Sequence, residues 1–340
     1  MRIVDSHTHL MNGRPDKLLE MAESFGYERF GVMAVPCHDE LLLNTLECML
    51  LKLKAPDRVY CYGGMVYFKD EPATKAGHEK QLQLMMDAGC DGWKLLESKP
   101  SVYRELQLPL DGEVFAGAFA MAEEAELPLI WHAGDPATFW SAETAPAFAV
   151  ENGWLCVGEG FPTLEQIYTQ VENVLARHPK LRTSMAHLYF TSDDRPHAER
   201  LLDQYENFWL DICPGSEMYH AFLADREGWG AFFRKYKNKL VFGTDMVDDE
   251  GDVVFGSQNA TTEFVLKTLS SREPFAVRDI AGIGLGLEED VLQKIFAENF
   301  ERRNGPKPKT ITRKGVEAYA EWLLPKLPVD FRKKGEELMK

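Results

Sequence analysis

Residues 1–10 read MRIVDSHTHL, and the spacing of His7 and His9 is where the reading of the fold begins. Side chains two apart on a strand project to the same side of it. If residues 2–9, which open with the apolar run RIVDSH (2–7), are extended, the two imidazoles project side by side. That geometry suits two ligands of one metal ion, although an H-x-H pair by itself is common enough to carry little weight.

Seven further short apolar runs follow: RFGVMAVP (29–36), VYCYGGMV (59–66), GWKLLE (92–97), PLIWHA (128–133), RTSMAHL (182–188), FWLDI (208–212) and LVFGTD (240–245). Each has strand length and is rich in β-branched, aromatic or leucine residues. Helical patterns lie between them at 15–26, 39–53, 78–89, 112–127, 163–179, 195–206 and 221–237. Gly26 and Gly89 are placed to stop the first and third of these as left-handed C-caps. Eight strands alternating with helices predict an α/β fold, a (β/α)8 TIM barrel. A doubly wound open sheet also alternates, but no G-x-G-x-x-G follows the first strand. Beyond 245 the alternation stops, and 257–270, 288–302 and 312–339 read as helices. The expected organisation is a metal-dependent barrel over 1–302 with a C-terminal helical extension, 303–340, packed on it.

Catalytic groups of such a barrel sit at the C-terminal ends of its strands. There the sequence places His7 and His9 (first strand), Lys94 (fourth), His132 (fifth), His187 (sixth) and Asp245 (eighth). Neutral imidazoles and a carboxylate on a rigid scaffold suit a divalent transition metal. Taken singly, His132 in WHAG and His187 in MAHL read as readily as hydrogen-bonded core histidines. Their shared rim is what points to a metal. His38, His78, His178, His197 and His220 fall in or beside helices and loops and read as surface or capping residues.

VDSHTH on the first strand, WHAG ending the fifth, MAHL ending the sixth and VFGTD on the eighth resemble the amidohydrolase superfamily, specifically its amidohydrolase-related branch (amidohydrolase 2). The segment GLGLEEDVLQKIFAENFERR is similar to the helix that closes those barrels, so the resemblance runs from residue 1 to about 302. That branch includes hydrolases, lactonases and nonoxidative decarboxylases. The resemblance implies that His7, His9, His132 and Asp245 hold one divalent ion, usually Zn2+, with a water in the open position and His187 beside it. Two features depart from the pattern: HLYF in place of glycines after His187, and the lysine of the fourth strand. Some superfamily members carboxylate a lysine there, giving a carbamate that bridges two ions. Lys94 alternates in phase with Gly92 and Leu96 and can face the barrel axis. Carboxylated Lys94 with a second ion, or Lys94 paired with a substrate carboxylate, Glu97 or Asp245, are the two readings.

A coordinated water has its pKa lowered toward ~7. Asp245 is expected to move its proton as general acid/base, and His187 to hydrogen-bond developing negative charge or bind a second ion. The expected activity is hydrolysis of an amide, lactone or ester of a small molecule. A nonoxidative decarboxylase on the same shell is the alternative, with Lys94, Arg104 or Arg195 gripping the carboxylate. A barrel that keeps its metal for binding or regulation is a third. The loop 134–162 carries Phe139, Trp140, Phe148 and Trp154, residues able to wall a pocket, with Asp135, Glu159 and Tyr189 as polar candidates.

Composition sets outer bounds. Thirty-eight Lys and Arg against 54 Asp and Glu give a net charge of −16, which opposes nucleic acid and anionic membranes as partners. No long apolar run is present, so neither a secretory signal nor a membrane span is expected, and a cytoplasmic location is. The six cysteines lack any C-x-x-C pair and read as buried free thiols. A homo-oligomer is left open.

Overall fold

The computed structural model describes residues 1–37, 39–215, 217–251, 256–278 and 280–340, and the expectation for His38 lies outside them. Nine parallel strands build the main sheet: β1 (Val4–His9), β2 (Arg29–Met33), β3 (Val59–Gly63), β4 (Gly92–Ser98), β5 (Leu129–Ala133), β6 (Thr183–Met185), β7 (Phe208–Asp211), β8 (Leu240–Val241) and β9 (Met246–Val247). Their order, β8-β7-β6-β5-β4-β3-β2-β1-β9, follows the chain until its last member.

Its two outer members are the halves of one run, 240–247. β8 pairs with β7 and β9 pairs with β1. Between the halves Ser6 N donates to Phe242 O and Asp245 N donates to His7 O, both at 2.9 Å. The sheet therefore curls round until its ends meet across this run. The break between the halves was not expected, and it coincides with a left-handed backbone at Asp245 (φ 57), which takes the chain out of the extended ladder. A hairpin of β10 (Pro274–Val277) and β11 (Ile280–Ile283) was also not foreseen.

Period-two alternation sorts the side chains. On β5, Leu129, Trp131 and Ala133 join the large core formed with the helices, Ile130 belongs to a second cluster with Tyr60, Tyr62 and Trp209, and His132 lines the cavity at the rim. Helices follow most strands. The first expected one spans Pro15–Ser24 and ends before Gly26 (φ 72), and Lys75–Ala88 ends at the left-handed Gly89 (φ 102). The helix expected at 221–237 is two, Met218–Ala224 and Arg226–Lys235, with Asp225 capping the second.

The tail is broken too. Arg313–Leu323 buries Val316, Tyr319, Ala320 and Leu323, and Val329–Leu338 follows after a turn at Pro325. A Cβ on Gly315 would stand 2.6 Å from Ala88 Cα, so only glycine lets the tail helix sit against the end of Lys75–Ala88. Among the described residues no helix is long and apolar enough to cross a membrane.

Candidate metal centre

β1 delivers His7 and His9 to the rim as its spacing requires, helped by an irregular register with β2 between Asp5 and Thr8. One nitrogen of each ring is already committed. His7 Nδ1 lies 2.7 Å from Asp211 Oδ2, and His9 Nδ1 lies 3.0 Å from Met33 O. A carbonyl only accepts, as does an ionised carboxylate, so both Nδ1 atoms carry the proton and both Nε2 atoms present lone pairs. Those lone pairs face one another at 3.2 Å, with Asp245 Oδ1 3.1 Å from His9 Nε2 and 3.5 Å from His7 Nε2.

Three acceptors held so close repel unless a cation lies among them. Ligand atoms about 2.0–2.2 Å from a tetrahedral ion stand about 3.3–3.6 Å apart, close to the separations found. The donor set and its spacing thus fit a divalent transition ion. Each histidine also has the partner on its other nitrogen that metal-binding imidazoles need for orientation.

Burial is the main electrostatic influence. It lowers His7 to about 3, with Lys94 acting in the same direction, so the ring is neutral near pH 7. Burial likewise lowers His132, then Lys99 does, and it lowers His187. On Asp245 burial alone would raise the pKa, but the imidazoles of His9, His187 and His7 around it outweigh that and hold the carboxyl well below its ordinary range. Asp5, sealed under the site between the His7 and Thr244 amides and the Thr244 hydroxyl, is pushed up to about 7 by burial.

Lys94 reaches this cluster from β4: its Nζ lies 2.9 Å from His7 Nε2. Burial lowers its pKa, opposed by Asp245. His132 and His187 stand a step away. Their rings are 4.9 Å apart between centroids, and His187 is 5.7 Å from His7. His132 Nε2 is 3.3 Å from Asp135 Oδ1 rather than in the cluster. His187 Nδ1 lies 3.3 Å from Cys213 O, which places its proton there and turns the Nε2 lone pair outward. In its neutral form His187 is therefore arranged as an acceptor or ligand. Among the described residues the tight groups able to hold an ion are His7–His9–Asp245 and His7–Asp211–Cys213.

A cavity of about 800 Å³ opens over the centre, bounded by His9, Lys94, His132, His187, Asp245 and the aromatic rings Phe139, Phe148 and Trp154. Trp140 turns away to donate to Pro162 O. Glu159 and Tyr189 do not line the cavity, and neither do the proposed grips Arg104, which stacks on Phe161, and Arg195, which pairs with Asp225. Those partners occupy the two arginines instead. Lys99, which the sequence reading passed over, does line it. His78, read as a surface or capping residue, is buried, with Thr74 O and Tyr67 Oη satisfying its two nitrogens.

Asp211 and Cys213 were also missed as site residues. Both fall at the end of β7, so the rule that found the other rim residues would have found Asp211 in FWLDICPG. All six cysteines are free thiols, but Cys213 is not a bland one: its Sγ lies 3.2 Å from His7 Nδ1 and 3.3 Å from His187 Nδ1.

Comparison with known proteins fits this geometry. The family model described as "Amidohydrolase" matches residues 4–302. No curated protein matches the chain. Among solved structures, an uncharacterized TIM-barrel protein, Bb4693, from Bordetella bronchiseptica is similar at TM-score 0.57 and 14% identity, covering 89% of this chain and 98% of its own. 4-Oxalomesaconate hydratase, LigJ, from Rhodopseudomonas palustris is similar at 0.55 and 12%, covering 94% and 98%. IDCase of Metarhizium anisopliae in its apo form is similar at 0.52 and 15%, covering 89% and 96%. At these identities the likeness is one of fold.

Proposed function

The chain belongs to the amidohydrolase family, and from that membership we propose that it is a metal-dependent hydrolase of small molecules, acting on an amide, lactone or ester. We read the fold as a (β/α)8 barrel in which β8 and β9 are one interrupted eighth strand, closed by the C-terminal helices. The observation that carries the reading is the convergence of His7 Nε2, His9 Nε2 and Asp245 Oδ1 to 3.1–3.5 Å with both Nδ1 atoms engaged elsewhere.

His7, His9 and Asp245 would hold the ion, with His132 and His187 at its margin; nitrogen and carboxylate donors favour zinc. When bound, such an ion supplies a Lewis acid and lowers the pKa of water at the site. Asp245, kept ionised, accepts the proton of the attacking water on its second oxygen and passes it to the leaving nitrogen or oxygen. Phe139, Phe148 and Trp154 exclude bulk water from the substrate's apolar part. Lys94 is close enough to His7 to act at the same centre, and its burial favours the uncharged amine that carboxylation requires. In that form the site would take two ions.

One observation favours a second reading. Lys94 and Lys99 both reach the cavity, which suits a carboxylated substrate and hence a decarboxylating or other lyase reaction on the same residues. The third reading, a non-catalytic metal-holding barrel, is disfavoured by the presence of Asp245 beside His7 and His9, since that carboxylate can move a proton. The test is elemental analysis of protein purified without chelator, followed by turnover of lactone, amide, ester and carboxylate panels. At least one divalent ion per chain, lost in His9→Ala, is expected. Metal-free wild-type protein would sink the proposal; release of CO2 with no hydrolysis would transfer it to the lyase. Two ions falling to one in Lys94→Ala would establish the bridging lysine.

A further inference from the structure

Beside the cluster lies a second arrangement whose parts point the same way. Lys99, the residue after β4, sets its Nζ 2.8 Å from Asp135 Oδ1 and 3.1 Å from Oδ2. Trp154 covers the ammonium, its ring centroid 5.0 Å away. Asp135 Oδ1 in turn lies 3.3 Å from His132 Nε2. All three side chains are largely buried, at 13%, 4% and 11% exposure. Asp135 can double back on His132 because Gly134 between them is left-handed (φ 86), its N–H tied to Ser98 O at 3.0 Å.

The chemistry of the chain Lys99–Asp135–His132 has one consistent proton arrangement. Lys99 is a donor only. Its Nζ reaches both oxygens of Asp135, at 2.8 and 3.1 Å, and makes the two an ion pair. An ionised Asp135 can only accept, so the proton it shares with His132 sits on Nε2. His132 Nδ1 has no hydrogen-bond partner among the described residues, and the ring lines the cavity. His7 and His9 are held the opposite way round, by Nδ1.

We propose that Asp135, clamped by Lys99, is a positioning residue that fixes His132 as the Nε2–H tautomer and so presents Nδ1, not Nε2, to the metal centre. The tautomer stands on the geometry alone; the role of Nδ1 as a ligand rests on the metal-dependent reading above. The clamp spans three segments. Lys99 comes from the end of β4, Asp135 from the turn after β5, and Trp154 from the loop beyond, so His132 is oriented only when that loop is seated.

The two halves are tested separately. In metal-free protein labelled with 15N-histidine, the His132 resonances, assigned by their loss in His132→Gln, report which nitrogen carries the proton. Wild type should show Nε2–H with Nδ1 bare, and Asp135→Ala should shift the population toward Nδ1–H. Lys99→Met leaves the carboxylate in place, serves if Asp135→Ala folds poorly, and should give a smaller shift the same way. A wild-type Nδ1–H tautomer, or the same tautomer in all three proteins, overturns the clamp. Zinc affinity by chelator competition addresses the ligand half: Asp135→Ala should bind about 10–100-fold more weakly, the usual cost of losing an orienting partner. Equal affinity in wild type and Asp135→Ala overturns that half. Wild type that binds no zinc overturns the metal-dependent reading, while the tautomer comparison still decides the clamp.

Discussion

At His7 both ring nitrogens are engaged, Nδ1 with Asp211 and the Nε2 lone pair with Lys94 Nζ at the edge of the cluster. Asp211 therefore does more than fill space. Asp211→Ala removes the acceptor of a buried N–H, a loss of about 1–3 kcal/mol, and frees the ring to turn. Urea unfolding of the metal-free protein should show that loss, and chelator competition should show zinc binding weakened about 10–100-fold. Asp245 is set for a different task. Asp245→Asn keeps the side chain's size and its left-handed backbone, which asparagine tolerates, but cannot accept the proton. On any compound the wild type hydrolyses, kcat should fall about 10²–10⁴-fold; an Asn variant with unchanged kcat would remove Asp245 from proton transfer.

Two local backbone features shape the rim, and the first has no plain sequence signal. His187, Leu188, Tyr189 and Phe190 are all left-handed, with φ of 51–57°, a conformation that costs non-glycine residues roughly 1–2 kcal/mol each. The turn is closed by Thr191, whose amide and hydroxyl both donate to Leu188 O, and it drives the His187 and Phe190 rings to 5.2 Å from one another over the centre. HLYF thus takes its shape from packing, since all four side chains are buried. At Gly134 the requirement is explicit: a Cβ would meet Leu164 Cδ1 at 3.1 Å, and φ is +86°. Gly134→Ala should lower stability by about 1 kcal/mol or more and weaken zinc binding by withdrawing Asp135 from His132. Denaturant melts and metal titration of the same variant check both.

For the molecule as a whole, the rim concentrates buried imidazoles, and this sets its response to acid. His7, His132, His187 and the structural His78 all have folded pKa values below their ordinary value because burial disfavours the charged ring. A depressed histidine contributes stability that is present above its unfolded pKa of about 6.5 and is lost as pH falls below it, by up to about 1.4 kcal/mol per pH unit per group. Asp5, raised to about 7, acts in the opposite sense, its contribution being lost as pH rises toward 7. Asp91 and Glu97, raised by burial, act with Asp5, and His197, lowered by burial, acts with the other rings; with five depressed histidines against three raised carboxylates, metal-free protein should unfold at lower urea at pH 5.5 than at pH 7.5. An unchanged or higher midpoint at pH 5.5 would contradict the burial of these rings.

The sequence by itself determined the strands and the rim. Eight apolar runs and the polar residues ending them are legible because both follow rules that act over a few residues: period-two alternation, strand propensity and the placement of functional groups at strand ends. His7, His9, Lys94, His132, His187 and Asp245 were all found that way, and Asp211 fell within reach of the same rule. Only the tertiary structure decided which nitrogen each histidine offers, that Lys94 meets His7, and that Lys99 and Asp135 form a chain behind His132. Hydrogen bonds between side chains 36 or 204 positions apart in sequence set those outcomes. No local pattern encodes them, because each exists only after the curl of the sheet has brought separate strand ends to one rim and removed the water that would otherwise satisfy them.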